Sequence, residues 1–288
     1  MKLKRILPNK EKLMRAVFFI SACVSIAAVL LICIFLFANG LPAMQKIGIG
    51  KFLVGRTWNP GNDEYGIYPM IIGSLYVTGI ALAIGVPIGI LTAVFMAKFC
   101  PKKLYGIIKP AIDLLAGIPS IVYGFFGLMV VVPFIRNTFG GSGSSVLAAS
   151  TVLGIMILPT IIGVCESALR AVPESYYEGS LALGASHERS VFRTVVPAAK
   201  SGILAGVILG VGRAVGETMA VVMVAGNSPV IPETILKSVR TMTINIVLEM
   251  GYATDLHREA LIATGVVLFV FILIINLCFS AVKRRSKL

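Results

Sequence analysis

Charged residues are scarce in this chain. Only 14% of its 288 residues are Asp, Glu, Lys or Arg, where a soluble domain carries about 25%, so too little polar surface exists to face water on all sides. Histidine is scarcer still. His187 and His257 are the only two, and both fall between apolar runs with no second ligand at metal spacing. No His-Glu-x-x-His pair occurs and no apolar run holds a histidine. An enzyme working inside a membrane needs a nucleophile and base, or a His-rich metal motif, buried in its helices, and this chain offers neither. A Gly-x-x-x-x-Gly-Lys-Ser/Thr loop is also missing, so nothing here cradles a nucleotide phosphate, and no filter-like repeat or ring of charges marks a channel. The five cysteines, Cys23, Cys33, Cys100, Cys165 and Cys278, sit within or at the ends of apolar segments. They fit no metal or disulfide framework, which leaves them as packing residues.

What the chain has instead is hydrophobicity: 57% of its residues are apolar and the mean hydropathy is +0.92. Apolar runs of roughly 20 residues recur, each long enough to cross a hydrocarbon core of about 30 Å. They predict a single all-α integral membrane domain over 17–282, with six transmembrane helices near 17–38, 71–97, 110–134, 146–165, 202–224 and 259–282. Lys2, Lys4, Arg5, Lys10, Lys12 and Arg15 precede the first run as they would in a signal peptide. That run is too long for a signal h-region and no small-residue cleavage site follows it, so it is expected to stay as the first span.

The formal net charge of +13 does not call for nucleic acid, because the basic residues gather at the ends of apolar runs and not along one polar face. The positive-inside rule accounts for them. With the N-terminus cytoplasmic, that side holds the six basic residues before the first span, then Lys98, Lys102, Lys103 and Lys109, then Arg170, Arg189, Arg193 and Lys200, then Lys283, Arg284, Arg285 and Lys287. The opposite side holds fewer: Lys46, Lys51, Arg56, Arg136, Lys237, Arg240 and Arg258. Both termini are therefore expected in the cytoplasm, as a segment 1–16 and a basic tail 283–288.

Several predicted spans contain breakers: Pro87 between Gly85 and Gly89, Pro119 after Gly117, and Pro159. In lipid these survive only where other groups satisfy the freed backbone. Gly202, Gly206 and Gly210 place a small residue on every fourth position, which lets another helix approach closely. Two outer segments are too long for tight turns. Residues 39–70 carry Trp58, Tyr65 and Tyr68, which suits interfacial aromatic anchors. Residues 226–258 carry an amphipathic run through Ile235, Val239, Ile246 and Met250, which suits a helix at the outer interface. Asp113 is expected at the start of the third span, where a carboxylate complements the helix dipole.

The cytoplasmic loop over about 166–200 is far longer than the roughly two to eight residues of an ordinary bundle connection. Pro173 suits the first position of a helix, Glu174 and Glu178 its positive end, and Gly184 a left-handed stop. A second short helix is expected to start after Ser186, whose hydroxyl can cap it, and to end before Pro197. The spacing of Glu178, Gly184 and Pro197 resembles the EAA loop of importer permeases of the ATP-binding-cassette (ABC) superfamily. The two alanines of that loop are replaced by Gly179 and Ser180, and its later Ile and Leu positions by Thr194 and Val196.

Other stretches are similar to the phosphate-specific (PstC-type) branch of those permeases. They are Trp58-Asn59-Pro60, Tyr65-Gly66-Ile67-Tyr68-Pro69, Leu115-Ala116-Gly117-Ile118-Pro119-Ser120 with Tyr123-Gly124, and Gly212-Arg213-Ala214-Val215-Gly216-Glu217-Thr218-Met219-Ala220. The resemblance implies a MetI-like six-helix bundle whose cytoplasmic loop docks on an ATPase. It also implies a heterodimer with a PstA-like permease, two PstB-like ATPase copies that hold the ATP and Mg, and a PstS-like phosphate-binding protein on the outer face. No cofactor is expected on this chain, and its other partners are membrane lipid and phosphate.

Arg213 is the one basic residue left inside a predicted span, with Glu217 one turn later on the same helical face. A charge at the bilayer centre costs several kcal/mol unless it meets a partner or water. A guanidinium matches a tetrahedral oxyanion, so Arg213 is expected to touch the passing anion. Glu217 is then expected to neutralise it when the path is empty. An ion pair that only fixes helix packing is the competing reading. A permease for another oxyanion, such as molybdate, sulfate or phosphonate, is the competing function.

Overall fold

The computed structural model describes residues 7–285. Residues 1–6 of the N-terminal segment and 286–288 of the basic tail lie outside the described residues. Helix α1 (Leu7–Ile47) leads through α2 (Ile49–Val54) into a small antiparallel hairpin, β1 (Trp58–Asn59) with β2 (Glu64–Tyr65). Helix α3 (Tyr68–Val94) ends in a π-helical turn, Phe95–Phe99, before α4 (Lys102–Gly117). Then come α5 (Ser120–Phe126), a second π turn and α6 (Val132–Phe139), followed by α7 (Val146–Arg170). The loop helices are α8 (Glu174–Ala182), α9 (His187–Ser190) and α10 (Val196–Ala198), the last two joined by a third π turn. Helices α11 (Lys200–Gly216), α12 (Met219–Val224), α13 (Met242–Glu249) and α14 (Asp255–Arg285) complete the chain.

Five helical stretches are long and apolar enough to cross a membrane: Glu11–Ile47, Tyr68–Phe99, Ser120–Phe139, Val146–Arg170 and Asp255–Cys278. A sixth passes as a bent pair, His187–Ala198 with Lys200–Gly216, which turns by 70° at the break. At 1.5 Å per residue the 17 residues of α11 reach only about 25 Å, and α12 supplies the remaining depth.

Glycine contacts set the directions of the spans. Gly40 packs on Ala263 and Val266, the Phe37 and Phe269 rings meet edge-on at 5.9 Å, and Lys46 Nζ lies 2.8 Å from Glu259. Helices α1 and α14 are thus antiparallel, and the chain enters and leaves at one end, the near end below. Helices α3 and α7 run parallel. The Ser150 hydroxyl donates to the Val77 carbonyl at 3.1 Å, Gly85 and Gly89 sit against Ile157 and Ile161, and the Arg170 guanidinium donates to the Met96 carbonyl at 2.9 Å. Helix α11 returns along α7, with Gly202, Gly206 and Gly210 against Ala168, Cys165 and Ile161, as the four-residue spacing predicts. The main core lies where α3, α7 and α11 meet, around Ala81, Leu153, Ile157, Ile161 and Cys165.

The structure corrects several expectations. The third predicted span, 110–134, is two pieces. Gly117, Ile118 and Pro119 break the chain because Ile118 is extended (φ −69°, ψ 126°) and a residue before proline disfavours the helical region. Helix α4 is a separate amphipathic helix, and Ser120–Phe139 is the span. Asp113 therefore lies inside α4, paired with Lys109 at 3.2 Å, and is not at the start of a span. The fifth span is interrupted at Glu217 and Thr218, between α11 and α12. Trp58 and Tyr65 are buried, not interfacial. Residues 226–258 do not form one amphipathic helix: backbone N–H groups at the start of α7 donate to Val224, Ile235 and Lys237 carbonyls, and α13 is a short helix tucked against α3 and α14 with Met242 and Ile244 buried.

Two glycines of α11 make a matched test of this packing. A Cβ at Gly206 falls 2.8 Å from Cys165 Sγ, whereas one at Gly212 meets nothing within 4 Å. Gly206→Val is expected to cost about 1–3 kcal/mol through overpacking and to lower the yield and melting temperature of the detergent-purified chain, while Gly212→Ala leaves both unchanged.

Candidate functional site

Two helix breaks meet on one face of the bundle. Gly124, one turn past the first break, packs against Ala220, just past the second. At the first break the Tyr123 hydroxyl donates to the Leu115 carbonyl at 2.7 Å, spanning the interruption. At the second, Glu217 is extended (φ −72°, ψ 132°). Its Oε1 accepts from the Ala220 N–H at 3.0 Å and so satisfies a donor at the start of α12. The Thr243 hydroxyl donates to the Glu217 carbonyl at 3.3 Å. Each break is closed by a side chain, as the membrane requires.

Arg213 and Glu217 are close in sequence but do not share a helical face. Arg213 stands in the last turn of α11, not midway along a span, and Glu217 lies beyond the helix end. The expected ion pair is not formed; among the described residues Arg213 has no carboxylate within salt-bridge distance. Its Nη1 donates to the Thr160 hydroxyl of α7 at 3.4 Å. Arg213 is half-buried, and on the same last turns of α11 an added Cβ at Gly212 or Gly216 meets nothing within 4 Å. Along α7, Thr160, Gly163 and Ser167 follow one another at helical spacing on a partly open face. This surface joins a free cation to hydroxyls and bare backbone, and it can hold a small oxyanion by charge and hydrogen bonds.

The long loop folds much as its residues predict. Gly184 has φ +82°, and its N–H and that of Ala185 return to the Leu181 and Ser180 carbonyls at 2.8 and 3.2 Å, closing α8. The Ser186 hydroxyl accepts from the Arg189 N–H at 3.3 Å. The Glu188 carboxyl is held below its usual range by its own backbone N–H and by Ser186. Ser180 receives a hydrogen bond from Thr194 at 3.4 Å, which ties the second helix to the first, while a Cβ at Gly179 would meet nothing within 4 Å. Two details differ from expectation. Pro173 is the residue before α8, not its first. The second helix does not stop before Pro197, because the π turn Val191–Val195 shifts the hydrogen bonding and Pro197 opens α10, where its missing N–H is harmless. Glu178 and Gly179 are exposed.

Two buried carboxylates carry networks that the sequence did not reveal. Glu166, at the near end of α7, is 3% exposed. It accepts from the Tyr105 hydroxyl at 2.7 Å and from Arg170 Nε at 2.8 Å, with Lys109 Nζ at 3.6 Å. It ties α4 to α7. At the far end, Glu249 accepts from Trp58 Nε1 at 2.8 Å, from His257 Nε2 at 2.9 Å and from Arg240. Arg240 in turn donates to Asn245 Oδ1 and to the Asn227 carbonyl. This knot joins the hairpin to α13 and α14, and burial together with Asp63 raises the Tyr65 hydroxyl pKa beside it. His257, assigned to no site from sequence, is part of that knot. For Glu166, the i, i+4 spacing to Arg170 was a readable signal. For Glu249 there was none, since Trp58 lies 191 residues away.

Residues 85–288 match the family described as "Binding-protein-dependent transport system inner membrane component". The chain is 41% identical over 270 residues to the "Probable ABC transporter permease protein YqgH" of Bacillus subtilis, covering 89% of this chain and 87% of that one. It is 35% identical over 265 residues to the "Phosphate transport system permease protein PstC" of Mesorhizobium japonicum, with 85% and 81% covered. Among solved structures it superimposes on a chain of the inward-facing MetNI methionine ABC transporter with a TM-score of 0.63 at 20% identity, covering 80% of this chain and 99% of that one. A bacterial ABC transporter for the import of alginate gives a TM-score of 0.61 at 16% identity, with 94% and 99% covered.

The geometry separates a carboxylate buried in a charged network from one that caps a helix start. Glu249→Ala strands Arg240 in the interior and is expected to destabilise the chain by about 3–5 kcal/mol. Glu217→Ala removes one helix-start acceptor and is expected to cost about 1 kcal/mol, and Glu217→Gln, which keeps an oxygen, less. Thermal unfolding of the detergent-purified variants measures all three.

Proposed function

The chain belongs to the binding-protein-dependent transport system inner membrane component family, and on that premise we propose that it forms half of the translocation pathway for inorganic phosphate in an ATP-driven importer. The observation that carries the substrate is Arg213: a half-buried cation next to a helix break, with no carboxylate partner among the described residues and one long hydrogen bond to Thr160. Similarity to PstC proteins over most of the chain supports phosphate as the anion. A transient guanidinium contact binds phosphate without trapping it, as an importer needs. Glu217, which caps α12, keeps negative charge near the site and limits how tightly it holds the anion.

In this reading the near end faces the cytoplasm, in line with the basic residues gathered there. Helices α8 and α9, with Glu178, Gly179, Ser180, Gly184 and Pro197, form the element that docks on the ATPase. Leu183 is 91% exposed, and Tyr176, Leu181 and Phe192 are exposed around it. Apolar side chains on a loop in water mark a partner surface. That partner is a PstB-like ATPase, present as a pair, which holds the ATP and Mg and performs the hydrolysis. A PstA-like permease supplies the other half of the pathway, and a PstS-like protein delivers phosphate at the far end.

Uptake of labelled phosphate by cells or liposomes carrying the whole complex tests this, beside membrane levels of the assembled subunits. Arg213→Gln is expected to lower uptake at least about tenfold while the complex still assembles, because the residue makes only one long hydrogen bond in the fold. Undiminished uptake contradicts the pathway role. Excess molybdate or sulfate suppressing uptake as strongly as unlabelled phosphate contradicts the substrate.

The loop makes its own prediction. Gly184→Pro imposes φ near −65° where +82° is needed, so binding-protein-stimulated ATP hydrolysis is expected to fall several-fold with the membrane spans intact. Normal stimulation would free the loop of a coupling role.

A further inference from the structure

At the near end, the docking helices and the span ends enclose a cavity between them to which no role has been given. A cavity of about 330 Å³ lies between the span ends and the loop, lined by Ala97, Lys98, Arg170, Glu174, Tyr177 and His187. Lys98, on the π turn after α3, has a side chain only 13% exposed. Its nearest carboxylate, Glu174, is 3.8 Å away and 66% exposed, and among the described residues Lys98 has no acceptor at hydrogen-bond distance. Its other neighbour is the Tyr177 ring, 5.6 Å from the ammonium. An ammonium with three donors, on a mostly buried stem and met by one long, weak pair, has donors left to offer to the cavity it lines.

The other donors around the cavity are held in place. Arg170 uses Nε on Glu166 and Nη2 on Met96 and lies 4.7 Å over the Tyr105 ring, which leaves Nη1 open. His187 packs its ring on Phe99 at 4.6 Å and shares a 2.6 Å hydrogen bond between Nδ1 and the Tyr177 hydroxyl, which leaves Nε2 open. Lys98 after α3, Arg170 at the end of α7 and His187 at the start of α9 thus border one space, and His187 adds an Nε2–H donor in the tautomer in which the Tyr177 hydroxyl donates to Nδ1. Several converging donors suit a tetrahedral oxyanion better than a flat carboxylate, which offers two acceptors in one plane. Glu174, exposed in the first turn of α8, is free to swing away.

We propose that this cavity binds a small tetrahedral oxyanion, orthophosphate or a phosphate monoester, and that the bound anion clamps the loop to α3 and α7. With the near end in the cytoplasm, which rests on the function proposed above, the anion released by transport is the one that fills it. Accumulated product then slows the loop, and import is restrained by its own product.

The test uses the purified complex with its partner subunits in detergent, without binding protein, and measures equilibrium binding of labelled orthophosphate. Lys98→Gln is expected to weaken binding about tenfold or more, through loss of a charge-assisted contact, and Lys103→Gln, which removes an exposed cation of α4 outside the cavity, to change it less than about twofold. ATP hydrolysis by the complex should fall as phosphate is added, and this fall should shrink in Lys98→Gln. Glucose 6-phosphate in place of orthophosphate separates a monoester from the free ion, and sensitivity to either supports the site. Unchanged binding in Lys98→Gln, or an equal loss in Lys103→Gln, overturns the proposal. Loss of the ATPase from the purified Lys98→Gln complex also overturns it, since the cavity would then receive a side chain of that partner. Phosphate import is measured separately on the wild type: binding without import would sink the transport reading and leave this site standing.

Discussion

A break in a membrane helix frees backbone groups that lipid cannot satisfy, and this constraint shapes the centre of the molecule. One break, at 117–119, separates α4 from the span that follows it, the other, at 217–218, interrupts the fifth span, and the two lie side by side where Gly124 packs on Ala220. Tyr123 covers one break by donating to Leu115. Glu217 and Thr243 cover the other. Only because these stitches hold can bare backbone, hydroxyls and the Arg213 guanidinium share one surface within a mostly apolar fold. The central bundle serves the same end. Helix α7 lies between α3 and α11 with glycines at both contacts, so the breaks are carried by a stiff, closely approached set of helices.

The loop and the breaks are linked through one rigid helix. Helix α7 carries Thr160 beside Arg213 and, about two and three turns later, Glu166 and Arg170, which fasten α4 and the π turn after α3. Helix α4 ends at the first break, and the loop that follows α7 leads through α9 and α10 into α11, which ends at the second. Displacement of the loop therefore reaches both breaks through packed elements, without passing through the far-end knot around Glu249. That knot fastens the hairpin to α13 and α14, and its role is to hold the far end still.

Local chemistry in the sequence was a good guide where the cause was local. Gly184 as a left-handed stop, Ser186 as a cap and the Gly202, Gly206, Gly210 packing stripe each follow from a few neighbouring residues, and each is present. Sequence windows failed where tertiary contacts decide. Hydropathy joined 110–134 and 202–224 into single spans, because an apolar run reads the same whether or not its backbone turns; Gly117-Ile118-Pro119 and Gly216 were the signals of interruption. The Arg213–Glu217 pair was inferred from unbroken helical spacing, and it disappears once the helix ends at Gly216. Burial of Trp58 and Tyr65 depended on Glu249 and His257, distant in sequence, so their aromatic character alone suggested an interface. Phosphate itself came from resemblance in the stretches around Arg213, since a lone cation fits many anions.

The central claim is that the surface beside Arg213 is wetted and visited by phosphate during transport. Gly216 lies on it with nothing within 4 Å of an added Cβ, so Gly216→Cys, in a chain whose five cysteines are replaced by serine or alanine, reports on it directly. Modification by a charged, membrane-impermeant thiol reagent is measured on the assembled complex in membranes, with loaded binding protein and ATP. The account predicts labelling that proceeds during turnover and slows when phosphate is in excess. A cysteine that resists the charged reagent in every state, and is reached only by a lipid-soluble one, would place this face against lipid and contradict the account.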